Sequence, residues 1–375
     1  MMKEIKKENC CGCTACVQIC PKKAIKFEYD EKGFGYPIIN RELCIDCGLC
    51  DKVCQFKERK EQDFQQKFYA AKSCNNDERI RSRSGGVFFT LAKQIIRKAG
   101  VVYGVILDDA MNVRFDRAIS IDDCKKMQGS KYVESNIEGI YTNVKKDLLD
   151  NRYVLFSGTA CQVAGLYGFL GNINIEKLYT IDIVCHGVTS TKIYHEFVRF
   201  IEKKYNGKMQ QFNFRDKYIG WDTHVESYII NQKKIFSRYY TRLFYSNAAM
   251  RPSCSVCPFA NFNRPADMTI ADFWGLRDLN PEFDDNKGVS VIILNNEKGK
   301  SMLKMISDGI EHFQVSKEDC VQPNLERPTP KAKETDEFWK VYMKSGIKGV
   351  LKKYGGYDWA RRVKWKILDL PKLLR

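Results

Sequence analysis

A cysteine run that occurs twice near the N-terminus constrains this chain more than any other feature of its sequence. The spacing C-x2-C-x2-C-x3-C appears once and recurs 34 residues later. The two copies occupy Cys10, Cys13, Cys16 and Cys20, then Cys44, Cys47, Cys50 and Cys54. The chain has 16 cysteines in all, and regular spacing of this kind favours thiolates that bind metal over structural disulfides.

The spacing is typical of bacterial ferredoxins, in which three cysteines of one run and the last cysteine of the other run hold each [4Fe-4S] cubane. The sequence therefore predicts two clusters. Cluster one has the ligands Cys10, Cys13, Cys16 and Cys54, and cluster two has the ligands Cys44, Cys47, Cys50 and Cys20. Tetrahedral zinc is the alternative for paired CxxC units, but it does not need two complete runs. Cys11 does not fit the spacing and is interpreted as a bystander.

The chain is long enough for two or three domains. We predict a two-[4Fe-4S] ferredoxin domain over 1–60, a larger domain over 67–322, and a basic helical tail over 323–375. Strands are predicted at 24–29, 36–39, 101–107, 153–156 and 179–184, and helices at 87–98 and 191–204. This alternation indicates an α/β (α+β) multidomain fold, with a small bacterial-ferredoxin-like domain followed by a mixed-sheet α/β domain.

A second group of cysteines lies outside the doubled run. Cys161 and Cys185 each follow a predicted strand, and Cys254 and Cys257 form a CxxC unit. Since ends of neighbouring parallel strands meet at one sheet edge, these four thiols are candidates for a third cluster. They are equally compatible with separate buried thiols. A third interpretation makes Cys161 a nucleophile at a helix N-terminus. The remaining thiols, Cys74, Cys124 and Cys320, are interpreted as structural.

Seven segments of the larger domain carry a resemblance to a known family. They are RSRSGGVFFTLA (81–92), GSKYVES (129–135), LFSGTACQVAGL (155–166), VCHGV (184–188), FRDKYIGW (214–221), SCSVC (253–257) and ADMTIADFWG (266–275). Over about 68–320 the chain resembles the coenzyme F420 hydrogenase/dehydrogenase beta-subunit family. The resemblance implies FAD, iron–sulfur clusters and a third [4Fe-4S] cluster on Cys161, Cys185, Cys254 and Cys257. It leaves the electron acceptor open, and coenzyme F420 itself is not favoured.

The flavin site is predicted from the same segments. Small and hydroxyl residues before a helix suit a pyrophosphate, although an ordinary serine-capped helix gives the same pattern. The predicted cofactor-binding residues are Ser82, Ser84, Gly85, Gly86, Gly129, Ser130, Lys131, Tyr132, Ser157, Gly158 and Thr159. Lys131 is predicted to stabilise the reduced flavin, and Arg215 and Lys217 are predicted to act beside it on the substrate side, with Trp221.

The net charge of +16 predicts an acidic partner or surface. The tail carries much of this charge, and Trp359, Val363, Ile367 and Leu370 recur there at helical spacing. Such a helix suits an acidic protein or an anionic membrane, whereas packing on its own domain is the simpler interpretation. Nucleic acid is not expected, because no binding motif accompanies the charge. The N-terminus has no apolar stretch after its lysines, so we expect a cytoplasmic protein, free or peripheral at the membrane.

Together these features predict an FAD- and [4Fe-4S]-dependent oxidoreductase. Electrons pass between a soluble ferredoxin-type donor, the clusters and FAD, with hydride-type transfer to or from a small-molecule or glycan-precursor acceptor. The alternative is a non-catalytic electron-transfer subunit of a larger redox complex. A cysteine-dependent transferase that carries a vestigial ferredoxin domain is a third interpretation.

Overall fold

The computed structural model describes residues 6–56 and 64–358. The strands are β1 Ile25–Tyr29, β2 Gly35–Ile39, β3 Lys67–Ser73, β4 Val101–Leu107, β5 Val113–Ala118, β6 Val154–Thr159, β7 Leu178–Ile183, β8 Met209–Asp216, β9 Val225–Ile230, β10 Lys233–Ser237, β11 Met268–Asp272, β12 Ser290–Leu294 and β13 Ile310–Val315. The helices are α1 Ala15–Ile19, α2 Leu49–Val53, α3 Asn76–Arg81, α4 Val87–Arg97, α5 Ile121–Lys126, α6 Ile140–Leu149, α7 Ala160–Leu170, α8 Thr191–Tyr205, α9 Tyr239–Tyr245, α10 Leu276–Leu279, α11 Glu297–Ile306 and α12 Thr335–Lys353.

An eight-stranded mixed sheet forms the centre of the larger domain, in the order β13-β3-β12-β11-β7-β6-β4-β5. Strands β4, β6, β7 and β11 are parallel neighbours, and the outer strands are antiparallel. Apolar cores cover both faces of this sheet, as expected where parallel strands are buried on both sides. The mixed α/β fold class predicted from the sequence is confirmed.

The predicted elements are present with small shifts at their ends. The strand predicted at 101–107 is β4, and the strands predicted at 153–156 and 179–184 are β6 and β7. The predicted helices are α4 and α8. Helix α4 buries the residues of its 3.6-residue repeat, including Val87, Leu91 and Ile95. Because β6 and β7 are parallel and adjacent, the segments that follow them leave the sheet at the same edge.

A second layer lies beside the sheet and contains the antiparallel strands β10-β9-β8 with α8, α9 and α12. Its core is aromatic, with Tyr194, Phe197 and Phe212 packed against Phe338 and Leu351 of α12. The first half of the predicted tail therefore belongs to the body of the protein and not to a separate appendage. The basic helix predicted around Trp359–Leu370 lies outside the described residues.

The ferredoxin module, residues 6–56, packs directly on the larger domain. Its helices α1 and α2 lie against α7, where Gly165 and Gly168 leave room for them. A Cβ on Gly165 would lie 3.0 Å from Cys13 Sγ, and one on Gly168 would lie 2.3 Å from the Val53 carbonyl. The β1–β2 turn reaches the start of α8, where Thr191 Oγ1 donates to the Gly33 carbonyl at 2.7 Å. Two contact points thus fix the module's position.

No helix within 6–56 and 64–358 combines the length and the apolar character needed to cross a bilayer. This agrees with the absence of long apolar runs in the sequence.

Candidate functional site

The cysteines of the ferredoxin module gather into two groups that follow the predicted cross-ligation. Burial, followed by the negative charges of Cys13, Cys10 and Cys54, raises the pKa of Cys16 well above its ordinary value. Cys16 therefore lies among these three thiols. This is the ligand set predicted for cluster one, in which the last cysteine comes from the other run. The thiols are free, so this donor set fits a cubane.

The second group lies on the outer side of the module. Cys20, Cys44, Cys47 and Cys50 line one small cavity of about 30 Å³, which is the ligand set predicted for cluster two. Cys47 is exposed, and Leu43, Ile45 and Leu49 are exposed around it. Cluster two would therefore lie at the surface, whereas the thiols of cluster one face helix α7.

A third group of thiols meets at the edge of the sheet beyond β6 and β7. Cys161 lies in the first turn of α7, Cys185 follows β7, and Cys254 and Cys257 lie on and just after the 3-10 turn Pro252–Val256. Within the described ranges, no group of three or more His, Cys, Asp or Glu side chains is arranged so that it could hold a single metal ion. The four thiols instead line a cavity of about 60 Å³, here called the thiol cavity, and four sulfurs around a space suit a multi-iron cluster.

The pKa values of these thiols show their proximity. Burial, followed by the charges of Cys161 and Cys257, raises the pKa of Cys185 to about 12. Burial and Cys161 raise that of Cys257 to about 11, and burial with Cys185 raises that of Cys254 further. Such thiols resist ionisation until a cation compensates their charge. They therefore fit metal ligands better than solvent-exposed nucleophiles.

Cys161 has the opposite pKa shift, and its cause revises the interpretation of Cys11. A hydrogen bond from Cys11, followed by one from Thr159, lowers the pKa of Cys161 to about 7. The distance between Thr159 Oγ1 and Cys161 Sγ is 3.2 Å. Cys11 also contacts Cys13 and lines the thiol cavity. Although Cys11 does not fit the ligand spacing, its side chain lies between the thiols of cluster one and the thiol cavity.

Two buried arginines line the thiol cavity and supply positive charge. Arg251 pairs with Glu134 at 2.6 Å, and Arg264 pairs with Asp182 at 2.9 Å. Arg264 lowers the pKa of both Cys185 and Cys257, although burial outweighs it. Positive charges beside an anionic cluster stabilise it in the dry interior. The sequence analysis did not single out either pair, since neither partner adjoins the other in the chain.

A second candidate region, the arginine–tryptophan cluster, consists of Arg83, Arg215, Trp221, His224 and Trp274. Trp221 stacks on Trp274 with ring centroids 4.9 Å apart. Arg83 lies over both indole rings at 5.6 and 5.8 Å, and Arg215 lies over Trp274 at 5.9 Å. The segment FRDKYIGW supplies two of these residues, and the loops before α4 and after β11 supply two others. Cationic and planar groups are thus presented together.

Several donors in this cluster have no acceptor among the described residues. They are Arg83 Nε, Arg215 Nη2 and Trp221 Nε1, and all three are buried. Asp272 forms an ion pair with Arg83 at 2.7 Å. The hydrogen-bond partners of Arg215 are instead neutral groups, which belong to Thr223, Tyr132, His224 and Tyr245. Burial, followed by Arg215 and Arg83, lowers the pKa of His224 to about 4. A buried site with unsatisfied donors and excess positive charge is suited to an anion.

Aromatic rings connect the two candidate regions. His186 lines the thiol cavity beside Cys185, and its ring centroid is 5.3 Å from that of Tyr245. The Tyr245 ring is 4.8 Å from His224, and its hydroxyl accepts a hydrogen bond from Arg215 Nη1 at 3.0 Å. Thus His186 and Tyr245 bridge the space between the thiol cavity and the arginine–tryptophan cluster.

The predicted flavin residues divide between these regions and the surrounding framework. Tyr132 joins the arginine–tryptophan cluster, since it stacks on Phe244 at 4.4 Å and its hydroxyl accepts from Arg215 at 3.4 Å. Thr159 belongs to the thiol cavity. Gly158, in β6, packs near Gln162 and Phe115, and Ser157 precedes it in the strand.

The loop before α4 is held tightly by the protein itself. The hydroxyl of Ser82 donates to Glu78, and that of Ser84 donates to Val289. A Cβ on Gly85 would lie 2.2 Å from the Ala71 carbonyl, so this glycine allows the loop to approach β3. The structure gives Gly85 a packing role, as it does Gly86, which is the left-handed N-cap of α4. The phosphate-binding role of this loop stays a prediction.

Lys131 and Lys217, which the sequence predicts to be catalytic, both donate hydrogen bonds to backbone carbonyls. Lys217 Nζ donates to the carbonyls of Arg79, Ser84 and Lys287 at 2.6 to 3.1 Å, and Lys131 Nζ donates to those of Lys126 and Gln128. Burial lowers the pKa of each lysine to about 7.

The three carbonyls occupy the three donors of the Lys217 ammonium, which gives this lysine a structural role. Gly129 and Ser130 adjoin Lys131, and the position of a Cβ on Gly129 is open. The predicted catalytic roles of Lys131 and Lys217 stay predictions.

Two segments of the chain match families of known proteins. Residues 151–318 match the C-terminal domain of the coenzyme F420 hydrogenase/dehydrogenase beta subunit, and residues 9–57 match the 4Fe-4S dicluster domain. An uncharacterized ferredoxin from Methanocaldococcus jannaschii is 37% identical over 68 residues, which are 18% of this chain and 36% of that protein. The chain thus spans about a third of that relative's length.

A chain of the F420-reducing [NiFe] hydrogenase complex from Methanosarcina barkeri has a TM-score of 0.47 and 16% identity, covering 79% of this chain and 94% of that chain.

The class of protein follows from the two matched domains. This is an iron–sulfur protein that carries a dicluster ferredoxin domain. Its residues 151–318 match the C-terminal domain of the coenzyme F420 hydrogenase/dehydrogenase beta subunit, which is a part of an oxidoreductase.

Proposed function

We propose that this chain is an iron–sulfur flavoprotein oxidoreductase. Electrons enter from a soluble ferredoxin-type donor, pass through clusters one and two and a third [4Fe-4S] cluster, and reach FAD. FAD exchanges single electrons with clusters and hydride equivalents with an organic acceptor. We assign the ferredoxin domain to 1–60 and the FAD and iron–sulfur domain to 67–322.

One observation carries the proposal: Cys11 of the ferredoxin module lines the same cavity as the four thiols Cys161, Cys185, Cys254 and Cys257. A cubane needs four thiolates, and this cavity offers them next to the thiols of cluster one. The nearness of the module to this cavity supports a relay from cluster one to a third cluster. The exposed Cys47 of the second group suits a point at which the electron donor docks.

The arginine–tryptophan cluster is the site that we assign to the flavin and its acceptor. Arg83 and Arg215 offer unsatisfied donors to phosphate or to the anionic reduced ring, and Trp221 and Trp274 offer planar faces. His224, with a pKa of about 4, is neutral at pH 7 and offers one N–H donor and one nitrogen acceptor to a ligand. Tyr132 and the loop at 82–84 border the same region.

The Cys254→Ser variant tests the relay. Loss of one thiolate should lower the iron content of anaerobically purified protein by about four per chain from a total of about twelve. Reduction of the flavin by a one-electron donor should then slow much more than its direct reduction by dithionite. Iron and sulfide analysis with EPR and flavin absorbance measures all of these quantities.

Cys124→Ser is the matched control, because Cys124 is a buried thiol in the core between α4 and β4 and does not line the thiol cavity. It should keep full iron and the parent EPR spectrum. Full iron and an unchanged spectrum in Cys254→Ser would show instead that Cys254 is a structural thiol and that the relay does not exist.

A non-catalytic electron-transfer subunit is the second candidate function. It is supported by the family description, which is that of a beta subunit, and by the exposed apolar residues Leu43, Ile45 and Leu49 around cluster two, which suit a protein partner. Flavin reduction without turnover of any acceptor by the isolated chain would favour this function. Turnover by the isolated chain would exclude it.

A further inference from the structure

Arg251 lies at the junction between the ferredoxin module and the larger domain. Its side chain is fully buried, and two nitrogen atoms of its guanidinium group make three contacts with the module. Nε donates to the Cys10 carbonyl at 2.8 Å, Nη2 donates to the Gly35 carbonyl at 2.8 Å, and Nη2 lies 3.8 Å from Cys10 Sγ. An arginine of the larger domain thus reaches a predicted cluster-one ligand and its backbone.

Glu134 accepts the remaining contact, at 2.6 Å from Arg251 Nη1. Its carboxylate also lies beside the cysteine loop, since a Cβ on Gly12 would be 2.8 Å from Glu134 Oε1 and 3.0 Å from Arg251 Nη1. Gly12 has a φ of +73°, so both the backbone conformation and the lack of a side chain permit this approach. Two opposite charges therefore lie within contact distance of the loop that would hold cluster one.

We propose that Arg251 sets the reduction potential of cluster one, with Glu134 as its counterweight, and thereby directs electrons from cluster two toward the thiol cavity. The inference rests on the proposed function for its direction of electron flow. Uptake of one electron makes the cluster more negative by one charge, and no bond forms or breaks. A buried cation and an N–H···S contact stabilise the reduced form and raise the potential. Glu134 acts in the opposite sense.

The position of Arg251 explains why such control belongs to cluster one. Arg251 precedes the turn that carries Cys254, and it lines the thiol cavity. The thiols of cluster two lie on the outer side of the module, away from this charge. Two clusters with the same ligands in the same kind of loop would have similar reduction potentials. A buried arginine beside cluster one alone makes the two potentials different.

The experiment is a redox titration of the ferredoxin clusters in the full-length protein, followed by EPR. Arg251→Met should lower the potential of one of the two ferredoxin clusters, and Glu134→Gln should raise the potential of the same cluster. We expect each shift to be about tenfold in the reduction equilibrium, or about 59 mV for a one-electron couple. Both variants remove the same ion pair, so a purely structural role would move the potential in one direction only.

Arg251→Lys keeps the charge and should retain most of the parent potential, which keeps the test decisive if Arg251→Met fails to fold. Arg277→Met is the matched control, because it breaks an arginine–carboxylate pair, Arg277–Asp284, whose arginine is exposed. It should leave both potentials unchanged. Shifts of equal sign in Arg251→Met and Glu134→Gln, or no shift in either, would overturn the inference.

The readout uses only the clusters of the dicluster domain. Loss of flavin or of the third cluster would contradict the proposed function but leave this measurement intact.

Discussion

The thiol cavity and the arginine–tryptophan cluster are built from opposite chemistry within one domain. The thiol cavity gathers four cysteine thiols and two buried arginines, Arg251 and Arg264, each of which is paired with a carboxylate. The arginine–tryptophan cluster gathers two arginines, one of which is paired with Asp272, and leaves several donors unsatisfied. The thiol cavity is therefore suited to bind metal cations, and the arginine–tryptophan cluster is suited to bind an anion.

This difference explains why His186 and Tyr245 matter. They lie between the two regions with ring spacings near 5 Å, so that a metal-based carrier and an anionic organic carrier would be close without sharing ligands. Separate sites allow each carrier to keep its own electrostatic environment. Within the ferredoxin module the two groups of thiols differ in exposure, because one group faces the larger domain and the other faces solvent.

The largest effect should come from the arginine–tryptophan cluster. Arg215→Met removes a buried cation that donates to Thr223, Tyr245 and Tyr132. A hydrogen bond to a charged group contributes about 1.5–3 kcal/mol, so we expect FAD to bind about tenfold to hundredfold more weakly. Iron content should not change, because this residue does not line the thiol cavity. Fluorescence titration of the apoprotein with FAD measures the affinity.

Arg114→Met is the control for that variant, since Arg114 is a partly exposed arginine that pairs with Asp108 and Asp116. Parent affinity in Arg215→Met would contradict the assignment of the flavin to this cluster. Weaker FAD binding with simultaneous iron loss would mean that the two regions are not independent.

A smaller effect is expected where the ferredoxin module meets α7. In Gly165→Ala the new Cβ would lie 2.8 Å from Tyr141 Oη and 3.0 Å from Cys13 Sγ. Overpacking of this kind costs about 1–3 kcal/mol of stability. Because the strain falls between the thiols of cluster one and α7, electron transfer from the module to the flavin should slow. FAD affinity should stay at its parent value.

Gly309→Ala provides the comparison, because its Cβ would meet only a methyl group of Thr90, at 3.0 Å. Urea unfolding and stopped-flow reduction together separate loss of stability from loss of transfer. A Gly165→Ala protein with normal transfer rates would show that the module's close approach to α7 is not needed for the relay.

The sequence points to the thiol regions more directly than to the arginine–tryptophan cluster. Cysteine spacing alone indicates a cluster site, because a cubane fixes the separation of its ligands along the loop. The cationic cluster has no such local signal. Trp274 and Arg83 lie 191 residues apart in the chain. The pairing of β11 with β7 and β12 brings Trp274 to the sheet edge.

The same reasoning applies to Cys11 and to the Arg251–Glu134 pair. Cys11 breaks the ligand spacing, so that a pattern-based interpretation sets it aside, yet the docking of the module places it in the thiol cavity. Arg251 and Glu134 belong to segments with no common motif. Their partnership is a consequence of tertiary packing, which residue spacing does not encode.

The smallest predicted effect concerns pH and separates the two regions by their charge. The pKa of His224 is lowered to about 4, by burial first and then by Arg215 and Arg83, from an ordinary value near 6.5. As pH falls below about 6.5 the unfolded chain takes up this proton before the folded protein does. Stability should therefore decrease between pH 6.5 and pH 4, and it should not depend on His224 above that window.

A shift of this size corresponds to at most about 3 kcal/mol, and partial exposure of the ring to solvent reduces the expected loss to about 1 kcal/mol. His224→Asn should remove that part of the pH dependence, as measured by urea unfolding at pH 7, 5.5 and 4.5. Because an anion between Arg215 and Arg83 would raise the pKa of His224, bound FAD should shrink the same component in the parent protein. An identical pH profile in His224→Asn would show that this imidazole is not held neutral by its arginine neighbours, and the contrast between a cation-seeking and an anion-seeking region would then lose its electrostatic basis.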